Sequence, residues 1–170
     1  SGLVWSDELI IPQLVVSRVS FEGEELANFF PFHDERALQS NNDMLLLLND
    51  GNLAIAGNVW SEEVQASNSF ILILTTSGEI LSFFEFELPY FPLGDFFVPR
   101  TFSQDAQGNF LLVSNVSNGS GYNYTYCQKI DPSGEELWSF EFGQTFYSNV
   151  GGKIIDLDEG YLLVGGRSNH

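Results

Sequence analysis

One cysteine and two histidines occur in 170 residues, and this scarcity excludes several kinds of chemistry. Cys127 has no intrachain partner, so the fold cannot rest on the disulfides that staple small secreted domains. Flanked by strand-like residues, it reads as a buried structural thiol. With only His33 and His170 as imidazoles, a zinc site or a Ser-His-Asp relay would have to be assembled from almost nothing. Basic residues are scarce too: six Lys and Arg stand against twenty-three Asp and Glu, a formal charge of −17. That field repels phosphate backbones and anionic headgroups, which argues against nucleic acid and membrane surfaces as partners. No glycine loop with a lysine is available to cradle a phosphate. Purely apolar runs such as Met44–Leu48 are far too short to cross a bilayer, and no charged-then-apolar leader pattern opens the sequence.

What is present is apolar and aromatic. Hydrophobic residues make up 44% and aromatics 15%, with sixteen Phe, which is incompatible with disorder despite the charge. A chain of this length suits one domain, 1–170, able to bury roughly 70% of the surface its unfolded form exposes.

The dominant signal is a repeat. RVSFEGEELANFF from Arg18, ILTTSGEILSFF from Ile73 and KIDPSGEELWSF from Lys129 share a glycine, at Gly23, Gly78 and Gly134, spaced 55 and 56 residues apart. Val19, Leu74 and Ile130 precede it by four, and Phe29, Phe84 and Phe140 follow it by six. A second segment, NDGNLAIAG, AQGNFLLVS and DEGYLLVGG, interleaves with the first through Gly51, Gly108 and Gly160, 57 and 52 apart. Each glycine sits between short runs rich in Phe, Ile, Val and Leu, the pattern of a tight β-hairpin. Within such a run Trp138, Phe140 and Phe142 alternate with Ser139 and Glu141, which predicts an apolar strand face.

Two hairpins per period give four antiparallel strands, the blade of an all-β propeller, in about three repeats of about 55 residues at 14–69, 70–123 and 124–170. With strands lettered A to D, the turns at Gly51, Gly108 and Gly160 are A-B and those at Gly23, Gly78 and Gly134 are C-D. The start is permuted, and the chain runs C-D, A-B-C-D, A-B-C-D, A-B. Three blades fall short of the usual four to eight, which suggests a longer chain or a homo-oligomer that completes a ring, such as two chains making six blades, with a three-bladed closure or an unclosed stack as the remaining option.

The stretch YCQKIDPSGEELWSFEFG, Tyr126–Gly143, resembles the repeat of quinoprotein-type (PQQ-like) propellers, and the DEGYLLVGG segment is similar to repeats of large secreted bacterial propeller proteins. The resemblance implies that a Trp four residues after the turn glycine docks adjacent blades. Trp138 fills that position, and Ala27 and Ser82 replace it in the other copies. The resemblance also implies an extracytoplasmic location, and it covers scaffold proteins and cofactor-dependent dehydrogenases alike.

The glycine turns lie on one face of such a blade, and the longer connections lie on the other: Pro31–Asp43, Asn58–Ser69, Leu88–Arg100, Asn115–Asn123 and Gly143–Gly152. Function on a rigid scaffold concentrates in such loops. LPYFPLGDFFVPR offers Tyr90, Phe91, Phe96, Phe97 and Arg100 as an aromatic platform for a sugar, a peptide or a protein, although the same rings also suit packing between blades. Trp60 and Tyr122 are further candidates at loop entries, and Tyr124 and Tyr126 share a strand face. Asn115, Asn118 and Asn123 match glycosylation patterns and read as a polar surface loop. Glu24, Glu79 and Glu135 recur just past a turn glycine, where solvated charge suits a hairpin better than paired carboxylates suit glycoside hydrolysis. Asp156, Asp158 and Glu159, and Asp50 with its neighbours, offer oxygen donors to calcium without the spacing of a full loop, so no cofactor is expected. The expectation is a non-catalytic module that binds a protein or carbohydrate partner. The alternative is a fragment of a carbohydrate-active or quinone-dependent propeller enzyme.

Overall fold

A strand whose side chains alternate between two apolar faces must be covered on both, and the chain solves this by stacking sheets. The computed structural model describes residues 14–29, 38–40, 44–61, 66–86, 96–117, 123–142 and 147–169, and these contain strands and turns only. β1 (Val16–Val19) and β2 (Glu25–Phe29) form the two-stranded sheet I. In sheet II, β5 (Leu53–Ser61), β6 (Ala66–Leu74) and β7 (Ile80–Phe86) follow an edge split between β3 (Leu38–Gln39) and β4 (Leu45–Leu47), which pair with different parts of β5. Sheet III is the antiparallel meander β8 (Phe96–Gln104), β9 (Phe110–Ser117), β10 (Asn123–Ile130) and β11 (Glu136–Phe142). β12 (Tyr147–Leu157) and β13 (Gly160–Asn169) make sheet IV. The strands thus group in chain order as a hairpin, two four-position antiparallel meanders and a hairpin.

Three apolar layers join the sheets in series. Ile55, Val59, Phe70, Leu72 and Leu74 of sheet II are buried with Leu14 and Val16 packed on them. On the other face of sheet II, Ala54, Ala56 and Ile71 meet Phe102, Phe110, Leu112 and Ile130 of sheet III. Leu111, Val113 and Cys127 of sheet III meet Ile154 of sheet IV, with Trp138, Tyr161 and Leu163 against them. The alternation along β5 and β9 is therefore apolar on both sides. Cys127 is the buried thiol the sequence suggests, and burial pushes it up to about 11.

Five of the six glycine-turn hairpins share one turn. In each, the first residue's N–H donates to the carbonyl four residues on, and the glycine's N–H donates back, as in Asp131 N to Glu135 O at 2.9 Å and Gly134 N to Asp131 O at 3.0 Å. The glycine takes φ between 85° and 92°, the αL residue that completes a type I turn with a G1 bulge. Ser20, Thr75, Asp105 and Asp131 cap their turns by accepting backbone N–H groups, as when Asp131 Oδ1 takes Ser133 N and Glu135 N. The sixth hairpin differs. Leu157 pairs directly with Gly160 across a two-residue loop, so the strand is one residue out of step, and Tyr161 rather than Leu162 stands where Phe110 stands.

The connections opposite these turns are shorter than expected. Asn58–Ser61 and residues 66–69 are paired strand, as are residues 147–151, and β3 lies within 31–43. Hydrogen bonding between backbones continues there regardless of polar side chains. Asn115 is likewise not in a surface loop: it is 7% exposed within β9 and opposite Thr125.

Candidate functional site

The molecule has two chemically different ends. At the glycine-turn end, Asp105 follows β8 and its carboxylate accepts N–H groups of Gln107 at 3.0 Å and Asn109 at 2.8 Å, with the Asn109 amide at 3.0 Å. Lys129 of β10 reaches the same carboxylate at 2.7 Å and donates to the Tyr161 hydroxyl at 2.7 Å. Its ammonium also lies 5.3 Å from the centre of the Tyr161 ring. Burial pushes the Asp105 carboxyl up, but the hydrogen bonds from Lys129 and Asn109 outweigh it and hold it at about 2. The bond to Asp105 in turn raises the Lys129 ammonium above its ordinary value. Both groups stay charged at neutral pH, and each serves as the other's counter-ion. They form a clamp between sheets III and IV, extended by Asp156, whose carboxylate accepts the N–H of Ala106 at 3.2 Å.

Sequence reasoning passed over this cluster. The available signal was a lysine in mid-strand at the repeat position of Ile73, in a chain with six basic residues, since such a charge needs a partner. The Trp138 ring lies 5.6 Å from that of Tyr161, so the tryptophan does lie against the following sheet.

The opposite end is where the sequence places a site. Tyr90, Phe91 and Tyr122 lie outside the described residues. Phe96 and Phe97 belong to β8, paired with Ser117 and Val116, and Trp60 belongs to β5 opposite Ser67, so these three are strand residues rather than loop residues. Strand β8 tolerates Pro99 because it is the edge of sheet III, where a missing N–H breaks no ladder. Pro99 pairs with Ser114 and Thr101 with Val113, which leaves Arg100 as the extra residue of a bulge, exposed to solvent.

Toward this same end, buried hydroxyls have no hydrogen-bond partner among the described residues: Ser69 and Ser114 between sheets II and III, and Thr125 on the face of sheet III turned to sheet IV. Thr101 by contrast donates to the carbonyl of Gly152. Asp50, weighed above as a calcium donor, instead accepts the backbone N–H and the amide of Asn52, each at 2.9 Å. Glu24, Glu79 and Glu135 are exposed just past their glycines.

No protein family, curated protein or solved structure matches the chain.

Proposed function

We propose that the chain is a β-propeller-type module of the quinoprotein-like kind that binds a protein or carbohydrate partner through the strand ends opposite its glycine turns, and that it works outside the cytoplasm without catalysing a reaction. The observation that carries this reading is the division of labour between the two ends. The glycine-turn end is closed by self-capping turns and by the Asp105–Lys129 clamp. The opposite end holds the Arg100 bulge and the buried Ser69, Ser114 and Thr125 hydroxyls. Stacked four-strand meanders in an A-to-D order are what propeller blades require.

Two results are expected. Screening oligosaccharides and peptides and mapping any hit by amide shifts should perturb residues 58–61, 66–69, 98–101 and 114–117. Arg100→Ala should then weaken the hit roughly tenfold. Shifts confined to the turns at Gly51, Gly78, Gly108 and Gly134 would overturn the assignment of the face. Glycan turnover or quinone-stimulated dye reduction by this chain alone would overturn the non-catalytic part. A separate consequence concerns stability. Ser114→Ala should leave the denaturation midpoint unchanged or raise stability by up to about 1 kcal/mol, because removing a buried hydroxyl without a partner removes a desolvation cost.

A further inference from the structure

The repeat makes each interior contact occur more than once, so an uncovered position can be compared with its covered equivalents. Leu74 and Ile130 are both 0% exposed, each facing the preceding sheet, but Val19 at the same position of sheet I is 60% exposed. Phe102 and Ile154 are 6% and 3% exposed, whereas the equivalent Leu45 is 57% exposed. At the far end, Leu162 and Val164 are 48% and 51% exposed, although Leu111 and Val113, which match them in register, are 1% and 0% exposed.

The turn glycines tell the same story. The Phe29 ring fills the space a Cβ on Gly78 would need, and the Phe84 ring does so at Gly134. At Gly23 no described residue occupies that space, while Phe140, the third phenylalanine of the series, is 43% exposed. What one end lacks, the other end offers.

We infer that a second copy of this chain docks head to tail, with β1 of one copy pairing along β13 of the other to complete a four-stranded A-B-C-D sheet. Among the described residues, β13 pairs only with β12 and β1 only with β2, so both backbone edges are open. The register follows from β9 and β10, where Phe110 meets Ile130, Leu111 meets Lys129 and Val113 meets Cys127. Carried over, Tyr161 meets Val19, Leu162 meets Arg18 and Val164 meets Val16.

The faces then agree. Val19 turns toward Trp138 and Phe140 of the first copy, with Gly23 over Phe140. Leu162 and Val164 turn toward Leu45 of the second. Two such contacts close a pair of chains into six sheets, within the range of propeller rings. The proposal extends the propeller reading into a partner, but it stands on the end faces alone. Failure of the pairing leaves the binding face to its own titration.

Sedimentation of the full chain over a concentration series should show a dimer. The dimer should strengthen with salt, because two chains of −17 repel and the contact is apolar. Val19→Asp and Val164→Asp, both at exposed positions, should each give a folded monomer, and mixing the two variants should restore a one-to-one pair through the one intact contact. Under oxidation, Leu162→Cys mixed with Arg18→Cys should form an interchain disulfide, and Leu163→Cys with Arg18→Cys should not. A monomer at every concentration and salt overturns the inference. A dimer that survives both aspartates, or that links at position 163 instead, overturns it as well.

Discussion

Replacing Lys129 with methionine should destabilise the folded chain by about 2–4 kcal/mol, because it leaves the Asp105 carboxylate buried without its counter-charge. The carboxylate keeps its bonds from Gln107 and Asn109, so the loss falls short of a stranded ion. Asp105→Asn should cost less, since the amide oxygen still accepts the turn N–H groups while Lys129 reaches solvent. A double-mutant cycle in urea, with midpoints compared at constant m, isolates the pair.

Two pH effects accompany this. Asp105 titrates near 2 in the folded state against 3.8 for the ordinary group, so its contribution is fully present above about pH 4 and is lost as pH falls toward 2. After allowance for screening near the turn, that contribution is about 1–2 kcal/mol. Lys129 has the opposite sign: its folded value is raised, so its stabilisation is complete below its ordinary 10.5 and is lost as pH rises through the folded value. In Lys129→Met the acid limb should begin at higher pH, and the alkaline limb should disappear. An unchanged acid limb would mean that the turn bonds alone hold Asp105 ionised.

The turns were legible because glycine at αL is a backbone requirement with few substitutes, and its recurrence marks Gly23, Gly51, Gly78, Gly108 and Gly134 without further knowledge. The grouping into a hairpin, two four-position meanders and a hairpin is legible from their count. Strand extent was not legible. Asn58, Ser67 and Asn68 carry loop-like side chains but sit in β5 and β6, since pairing at a sheet end needs only backbone groups. Phe96–Arg100 reads as loop because Pro99 argues against a strand, and only its place on an edge removes that argument. The slip at Gly160 was hidden because a shorter turn there keeps a glycine in view.

For the candidate site, the loop pattern singles out the end opposite the glycine turns and carries no information on its chemistry. The opposite-end hydroxyls become visible only once the packing shows which face Ser69, Ser114 and Thr125 occupy. The Asp105–Lys129–Tyr161 cluster joins residues from three segments far apart in sequence, a juxtaposition that no spacing rule encodes.

The turn glycines also separate two costs that are usually confounded. Gly51 and Gly134 have similar conformations, φ 85° and 92°, so alanine at either meets the same left-handed strain of about 1–2 kcal/mol. At Gly51 a methyl meets no described residue. At Gly134 it enters the Phe84 ring, which packs against the layer between sheets II and III, as do Phe86 and Ile73. Displacing that ring adds about 1–2 kcal/mol of overpacking. Gly134→Ala should therefore cost about 2–4 kcal/mol in denaturant unfolding, roughly twice the cost of Gly51→Ala. Phe84→Leu, which frees space above the glycine, should recover part of the difference when combined with Gly134→Ala and should itself be destabilising alone. Equal costs at positions 51 and 134 would show that the ring yields freely and that the sheets are not locked by phenylalanine seated on glycine.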